Sequence, residues 1–250
     1  MHTVESVFET LPDFADLDGG VTRQVASFSR IAEVRGETMI FQQGSAPDAL
    51  RYLVGGKAAL TQRASDGTRV IIDLALPVSG LVVASVLAGT PYLMTAEALT
   101  AAAVLEIAAE PLRRLMATTP SLATAMLRRV SLDSRSATSQ VLDLKLRTAA
   151  QRLGCYLLAL ARDPAGNGAD FDLPVPKNVL AGQLGCRFEN LSRAFALLRE
   201  VGVETHGSKI TLHDIASLRV YAVPSDVGGA EPRRPGPSEA ARAFSRAFKL

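Results

Sequence analysis

The sequence predicts an α+β protein with an N-terminal β-jelly-roll barrel, one long helix and a C-terminal winged helix-turn-helix. Three observations lead there. Short strand-like runs recur between glycines over residues 21–107, and an apolar seam at alternating spacings of three and four follows Pro120. Residues 173–212 then order two short helices, a turn and a hairpin. The expected segments are 1–110 for the barrel, 111–143 for the long-helix region, 144–222 for the winged unit and 223–250 for a tail.

Composition sets the frame. A chain of 250 residues that is 48% hydrophobic can bury a sizeable core and has room for two domains. Its net charge of +2 does not announce a nucleic-acid partner. Between Lys145 and Arg219, ten Lys and Arg stand against seven Asp and Glu, a mild local bias. Residues 1–18 carry Glu5, Glu9, Asp13, Asp16 and Asp18 and no long apolar core, unlike a signal peptide. The apolar run 74–93 is broken by Pro77, Gly80, Gly89 and Pro91, so no membrane span is expected. The two cysteines, Cys155 and Cys186, read as buried structural thiols in a reducing cytoplasm.

In the barrel region, residues 38–41, 49–54, 58–62 and 70–76 read as strands, separated by Gly36, Gly44, Gly55-Gly56 and Asp66-Gly67-Thr68. Strands of this length at regular spacing suit a sandwich or closed jelly roll. Asp66-Gly67 suits a hairpin turn, since both residues tolerate positive φ.

Pro111 fits the first turn of a helix. Past Pro120, Leu127, Val130, Ser134, Ala137, Val141 and Leu144 form an a/d seam over about two and a half heptads. A helix packed on its own domain would show the same period. Asp143 is the expected N-cap of the next helix and a hinge between domains. That helix carries an apolar stripe at Leu146, Ala149, Ala150, Leu153, Tyr156, Leu157 and Leu160. Residues 163–172 read as a polar loop, and 223–250, rich in Pro and Gly, as a disordered tail ending in a short basic stretch.

In residues 173–198, Val179, Leu180 and Leu184 have helical spacing, and Gly185 interrupts them where a sharp turn needs a small or positive-φ residue. A second helix runs from about Phe188 to Glu200, with Leu191, Phe195 and Leu198 inward. Glu189, Ser192 and Arg193 then share the outward face at i, i+3 and i+4. Arg can hold guanine O6 and N7, Glu can accept from cytosine N4, and Ser can serve either role. An ordinary solvated i,i+4 pair has the same spacing; the strand-turn-strand pattern of 202–212 behind it separates the two. Lys177, Arg187 and Lys209 are candidate phosphate partners.

These residues resemble the CRP/FNR family of bacterial transcription regulators. The resemblance is carried by Leu173-Pro174, Leu180-Ala181, Leu184-Gly185 and above all Glu189-x-x-Ser192-Arg193, which is similar to the FNR-like branch that reads a TTGAT-type half-site. Phe188 is larger than the residues expected there and is placed to touch a thymine methyl or shift the outer base preference. Gly36-Glu37, Ile40-Phe41, Gly44, residues 50–54 and Gly56 resemble the opening of a cyclic-nucleotide-binding-type barrel. The resemblance implies a dimerisation helix, a palindromic double-stranded DNA site and RNA polymerase as a partner.

The effector site departs from the family. Members that bind cAMP carry Gly-Glu for the ribose and Arg followed by Ser or Thr for the phosphate. Here Val82-Val83 and Tyr92-Leu93 hold those places. A phosphate buried among them has no counter-charge, so cAMP is not expected. The resemblance to FNR does not extend to its iron–sulphur cluster, since no cysteine precedes Cys155. A haem would need an axial ligand; His206 and His213 fall in the wing, which leaves His2. Two readings remain for Val82, Val83, Tyr92, Leu93 and Met94: a pocket for a neutral or hydrophobic effector, or barrel filling. No cofactor or metal is expected.

Enzyme classes fare poorly. A metal site in the barrel needs clustered His ligands, and none lies between His2 and His206. Walker, nucleophile-elbow and paired-Cys motifs are missing. The expectation is therefore a homodimeric cytoplasmic DNA-binding regulator. Its competitor is a dimeric ligand-binding or interaction scaffold whose helix-turn-helix does not read DNA sequence.

Overall fold

Two short helices, α1 (Val4–Phe8) and α2 (Gly19–Ala26), open the chain, each from a side-chain cap. Thr3 accepts from the Ser6 amide at 3.3 Å and Asp18 from the Gly20 amide at 2.7 Å. Strands β1 (Ser29–Val34), β2 (Met39–Phe41), β3 (Ala49–Gly55), β4 (Ala58–Arg63), β5 (Arg69–Ala75) and β6 (Ser79–Leu81) follow. Helix α3 (Val83–Ala88) leads to β7 (Thr95–Ala98) and β8 (Ala102–Ala108). The computed structural model describes residues 3–63, 67, 69–161 and 168–223. They divide into two compact units after Asp133.

In the first unit the strands make two antiparallel four-stranded sheets, ordered β1-β8-β3-β6 and β2-β7-β4-β5, as the jelly-roll reading expects. Alternation sets the register. Ala58, Leu60, Ala96 and Ala98 enter the core, while Thr61, Thr95 and Glu97 take the other face. Every residue of β3 is buried, because both of its faces are covered. On one face the Tyr52 hydroxyl donates to Asp13 at 2.8 Å, and the Phe14 ring meets Tyr52 edge-on at 6.0 Å. Neighbouring Arg51 turns the opposite way. Its guanidinium donates to Glu106 at 2.9 Å, to Asp48 at 2.9 Å and to the Tyr92 hydroxyl at 3.1 Å. Burial favours loss of the Arg51 proton, but the bonds to Asp48 and Glu106 outweigh it and hold the pKa above the ordinary value.

Helices α4 (Ala109–Thr118) and α5 (Pro120–Leu146) come next. Pro111 and Pro120 both fall in first turns, where a missing amide leaves nothing unpaired. Leu122 and Met126 of α5 are buried against the roll's core. One turn on, Arg129 pairs with Asp133 and lies 3.9 Å from Asp13. Burial lifts the Asp13 carboxyl above its ordinary pKa, against the pull of the Tyr52 hydrogen bond and Arg129. Asp143 does not start the next helix. It sits inside the last turns of α5, paired with Arg147, and Thr148 is the cap instead. Thr148 and Gln151 close a reciprocal capping box, with bonds of 3.2 and 2.9 Å.

The second unit continues with α6 (Ala149–Leu160), β9 (Ala169–Asp172), α7 (Lys177–Gln183) and α8 (Phe188–Leu198). A 3-10 turn (Arg199–Val201), β10 (Val203–His206), β11 (Lys209–Leu212) and α9 (Ile215–Ala222) complete it. Residues 169–172, expected in a polar loop, form a strand in a sheet ordered β10-β11-β9. Its aspartates find hydroxyl donors across the ladder, Thr211 to Asp170 at 2.6 Å and Ser208 to Asp172 at 3.1 Å. Ala150, Leu153, Tyr156 and Leu157 of α6 are buried as expected, but Leu146 is 54% exposed. Leu146 closes α5 rather than opening α6. Helix α9, which periodicity did not reveal, is capped by Asp214 and packs on α6, where the Cys155 thiol donates to the Ala222 carbonyl at 3.4 Å. Among the described residues no helix is long and apolar enough to cross a membrane. Residues 162–167 and the tail 224–250 lie outside the described residues, as do His2, Asp66 and Thr68.

Two turn glycines separate backbone strain from crowding. Gly67 has φ 82° with nothing within 4 Å of an added Cβ, whereas Gly56, at φ 80°, would place one 2.3 Å from the Ala101 carbonyl oxygen. Gly67→Ala should cost about 1–2 kcal/mol, the left-handed penalty alone. Gly56→Ala should add about 1–3 kcal/mol of overpacking. Urea unfolding midpoints of the two variants check the difference.

Candidate nucleic-acid interface

Helix α7 buries Val179 and Leu180 and ends at Leu184, which is also buried. Gly185 then takes φ 61°. The Cys186 amide donates to Ala181 at 3.0 Å and the Gly185 amide to Gly182 at 2.9 Å. That pair of bonds is a Schellman motif, which satisfies two carbonyls that a helix end leaves open. The turn is held from outside as well. An added Cβ at Gly185 would lie 2.5 Å from Leu144 Cδ2, so the last turns of α5 rest directly on the glycine. Arg152 of α6 donates through Nε to the Leu184 carbonyl at 2.9 Å and through Nη1 to the Arg147 carbonyl at 2.6 Å.

Helix α8 starts from this turn at a fixed angle and is amphipathic. Leu191, Ala194, Phe195 and Leu198 are buried. Phe188, Glu189, Asn190, Ser192 and Arg193 are exposed, so the three residues expected to share the outward face do share it. Arg187 is the N-cap and offers no side-chain cap, which leaves the first-turn amides open at the positive end of the helix dipole. Among the described residues, the side chains of Arg187, Glu189 and Arg193 have no hydrogen-bond or ion-pair partner. Ser192 donates to the Phe188 carbonyl at 3.2 Å.

Beside the helix lies a polar concavity lined by Arg152, Cys186, Arg187, Glu189, Asn190 and Arg193, with Gly185 at its back. Three guanidiniums face it. Arg152 is half-buried, and burial pulls its pKa below the ordinary value. Sequence reading missed Arg152, because it sits on a different helix, 32 residues before the carbonyl it binds. Asn190 was missed too, although its place three residues before Arg193 is a usable signal. Cys186, expected to be buried, is only partly so and lines the concavity.

The other expected basic contacts divide. Lys177 turns toward the wing: its ammonium donates to Thr205 at 3.0 Å and lies 4.8 Å above the Phe195 ring. Lys209 is exposed at the wing tip, opposite His206 on one side and Asp172 on the other.

The residues expected to line an effector pocket divide between core and surface. Val83 and Tyr92 are buried, Val82 and Met94 pack against the core, and Val82 adopts φ 50° as it enters α3. Leu93 is 72% exposed and does not line the interior. Tyr92 takes the inward place, stacking on Phe41 at 4.0 Å and donating to the Ala49 carbonyl at 3.1 Å. The guanidinium of Arg51 beside it was not foreseen. Among the described residues, no group of three His, Cys, Asp or Glu is placed to hold a metal ion.

Comparison with known proteins follows the same division. Residues 32–119 match the cyclic nucleotide-binding domain family and residues 151–221 the Crp-like helix-turn-helix domain family. The chain is 30% identical over 207 residues to the transcriptional activator protein FnrL of Cereibacter sphaeroides, covering 78% of this chain and 80% of that one. It is 29% identical over 192 residues to the transcriptional activator protein FnrA of Stutzerimonas stutzeri, covering 75% and 78%. Among solved structures, FixK2 from Bradyrhizobium japonicum shares the fold with a TM-score of 0.66 at 21% identity, over 78% of this chain and 98% of that one.

The turn makes a direct test. Gly185→Ala should lose about 1–2 kcal/mol from its left-handed φ, and more from the clash with Leu144. Adding Leu144→Ala should recover the crowding part only, with a coupling of about 0.5–3 kcal/mol in a double-mutant cycle. Strict additivity in denaturant unfolding would mean that Leu144 does not hold the turn.

Proposed function

The chain belongs to the CRP/FNR family of transcription regulators, and within it we propose a homodimer that reads a palindromic DNA site through α8. The family is one of DNA-binding regulators, not enzymes. The observation that carries the reading is the uncommitted polar face of α8. Glu189 and Arg193 are exposed one turn apart with no partner among the described residues, on a helix whose other face is fixed in the core. Side chains left free in that way are available to base edges. We assign Arg193 to a guanine, Glu189 to a cytosine amine and Ser192 to a supporting contact. Arg152, Arg187 and Lys209 serve the phosphates.

The dimer reading rests on α5. Leu127 is 67%, Val141 50% and Leu144 51% exposed along the seam that the heptad spacing defines, and Ser134 and Ala137 between them are exposed too. Val130 is the exception, half-buried against the roll. An apolar stripe of this kind on a soluble helix asks for a second copy. A twofold reader places its recognition helices about 34 Å apart, in successive major grooves. RNA polymerase is the proposed partner of the DNA-bound dimer.

Control by cAMP is not part of the proposal. The cation nearest Tyr92, Arg51, already holds Asp48 and Glu106, so it is not free to pair with a cyclic phosphate beside Tyr92. Any effector beside Tyr92 is neutral or apolar in this reading, and its action is to change how α8 is presented.

Selection from randomised duplex DNA at near-physiological salt should enrich a palindrome whose half-sites are about 10 base pairs apart. Absence of enrichment would favour a scaffold that does not read sequence. On the enriched site, Arg193→Ala should lose about 1–3 kcal/mol and relax one G·C position. An equal loss on all sequences would make Arg193 a phosphate contact. Leu127→Glu with Val141→Glu should shift the protein to a monomer in sedimentation equilibrium and abolish the palindrome preference.

A further inference from the structure

The roll carries a polar concavity of about 210 Å³ on the outer face of the sheet ordered β2-β7-β4-β5. Strand register brings its residues together. Thr61 lies opposite Thr95, Met39 opposite Glu97 and Arg63 opposite Arg69. Two guanidiniums directly opposite each other repel and weaken a ladder. Among the described residues one carboxylate lines this face, and it serves only one of the two. Arg69 reaches across β4 to pair with Glu97, which also accepts from the buried Thr61 hydroxyl at 3.3 Å. Arg63 keeps a single long bond, 3.4 Å from Nη1 to the Gly67 carbonyl, and has no acidic partner among the described residues. The remaining polar groups divide in the same way. Thr95 Oγ1 accepts from the Gln43 amide at 3.0 Å, whereas the side-chain amides of Gln42 and Gln43 have no bond among the described residues. Met39, 53% exposed, adds an apolar wall. None of the five residues expected to line an effector pocket borders this concavity.

We infer that this face binds a small organic anion, with its carboxylate or phosphate group on Arg63 and its hydroxyl groups on Gln42 and Gln43. A guanidinium presents a planar fork of donors that matches either oxyanion. A side-chain amide both donates and accepts, so two of them suit hydroxyls, which do the same. Met39 is flexible enough to fit its thioether against a short carbon skeleton. The volume lies below the roughly 300–1,000 Å³ of pockets for drug-sized ligands, so the anion is small. Glu97 is fixed in place by Thr61 and Arg69 and repels a second anionic group. A ligand with one charged head and neutral hydroxyls is therefore preferred to a diacid. The site belongs to the roll alone and does not depend on how α8 reads DNA.

Methionine methyl groups report on the site directly. The chain has five methionines; Met39 lines the concavity, while Met126 is buried in the core. The full-length protein, labelled with carbon-13 at the methionine methyls, is titrated with glycerate, glycerol 3-phosphate or succinate, against sodium chloride of equal ionic strength. The Met39 resonance, assigned by its loss in Met39→Leu, should shift and saturate with glycerate or glycerol 3-phosphate while that of Met126 stays. Whichever of the two saturates at the lower concentration identifies the head group as carboxylate or phosphate. Arg63→Gln should weaken that ligand about tenfold, the loss of a hydrogen bond to a charged group. Because Arg63 is exposed, the variant should keep its melting temperature. Arg114→Gln, which removes a cation paired with Glu110 outside the concavity, should leave the titration unchanged. The inference is overturned if neither ligand gives a saturable shift, or if Arg63→Gln binds as the unaltered protein does. It is overturned equally if succinate or chloride produces the same shift, which would mark general screening of Arg63.

Discussion

The C-terminal unit depends on a single closed turn. At Gly185 the backbone enters the left-handed region, two amides return to α7, and the Leu144 side chain occupies the volume where any Cβ would go. Arg152 ties the same turn to the α5–α6 junction through two carbonyls. The direction in which α8 leaves is therefore decided by residues on three other helices. None of them is on the exposed face that α8 presents. Positioning and recognition are carried by different side chains.

A second constraint operates in the roll. A guanidinium inside a β-sandwich is tolerable only when its donors are used, and Arg51 uses them on Asp48, Glu106 and Tyr92. Tyr92 is held in turn by the Ala49 carbonyl and by stacking on Phe41. The segment that lies between α3 and β7 is thus fastened to β2 and β3 by its own ring. The donors of this guanidinium are spent inside the roll.

Much of this was legible in the residues. The helix-turn-helix followed from the spacing of Val179, Leu180 and Leu184, the break at Gly185 and the stripe at Leu191, Phe195 and Leu198, all of which are local signals. The roll's strands followed from alternation and glycine punctuation. What escaped depended on tertiary partners. β9 carries two aspartates, which disfavour strands until Thr211 and Ser208 supply donors across the ladder. Asp143 looked like a cap, but Arg147 claims it, and the better cap at Thr148 has its Gln151 partner three residues on. Leu93 was placed inside by the family register, which sets Tyr92-Leu93 where cAMP binders carry Arg followed by Ser or Thr; the loop alternates, so Tyr92 turns in and Leu93 turns out. Arg51 and Arg152 were missed because each also needs a distant partner, Glu106 and Tyr92 for Arg51 and the Leu184 carbonyl for Arg152.

One tie within the first unit has a wider consequence. Arg129 on α5 is held by Asp133 and lies against Asp13, which itself accepts from the buried Tyr52 hydroxyl, so the rotation of this part of the helix about its own axis is fixed. Leu127, two positions earlier, points away from that cluster and contributes little to the core. The residues that anchor the helix and those it displays can therefore mutate independently. Among duplicated copies of such a chain, the displayed set is free to drift until each copy prefers its own kind, while the roll beneath stays unchanged.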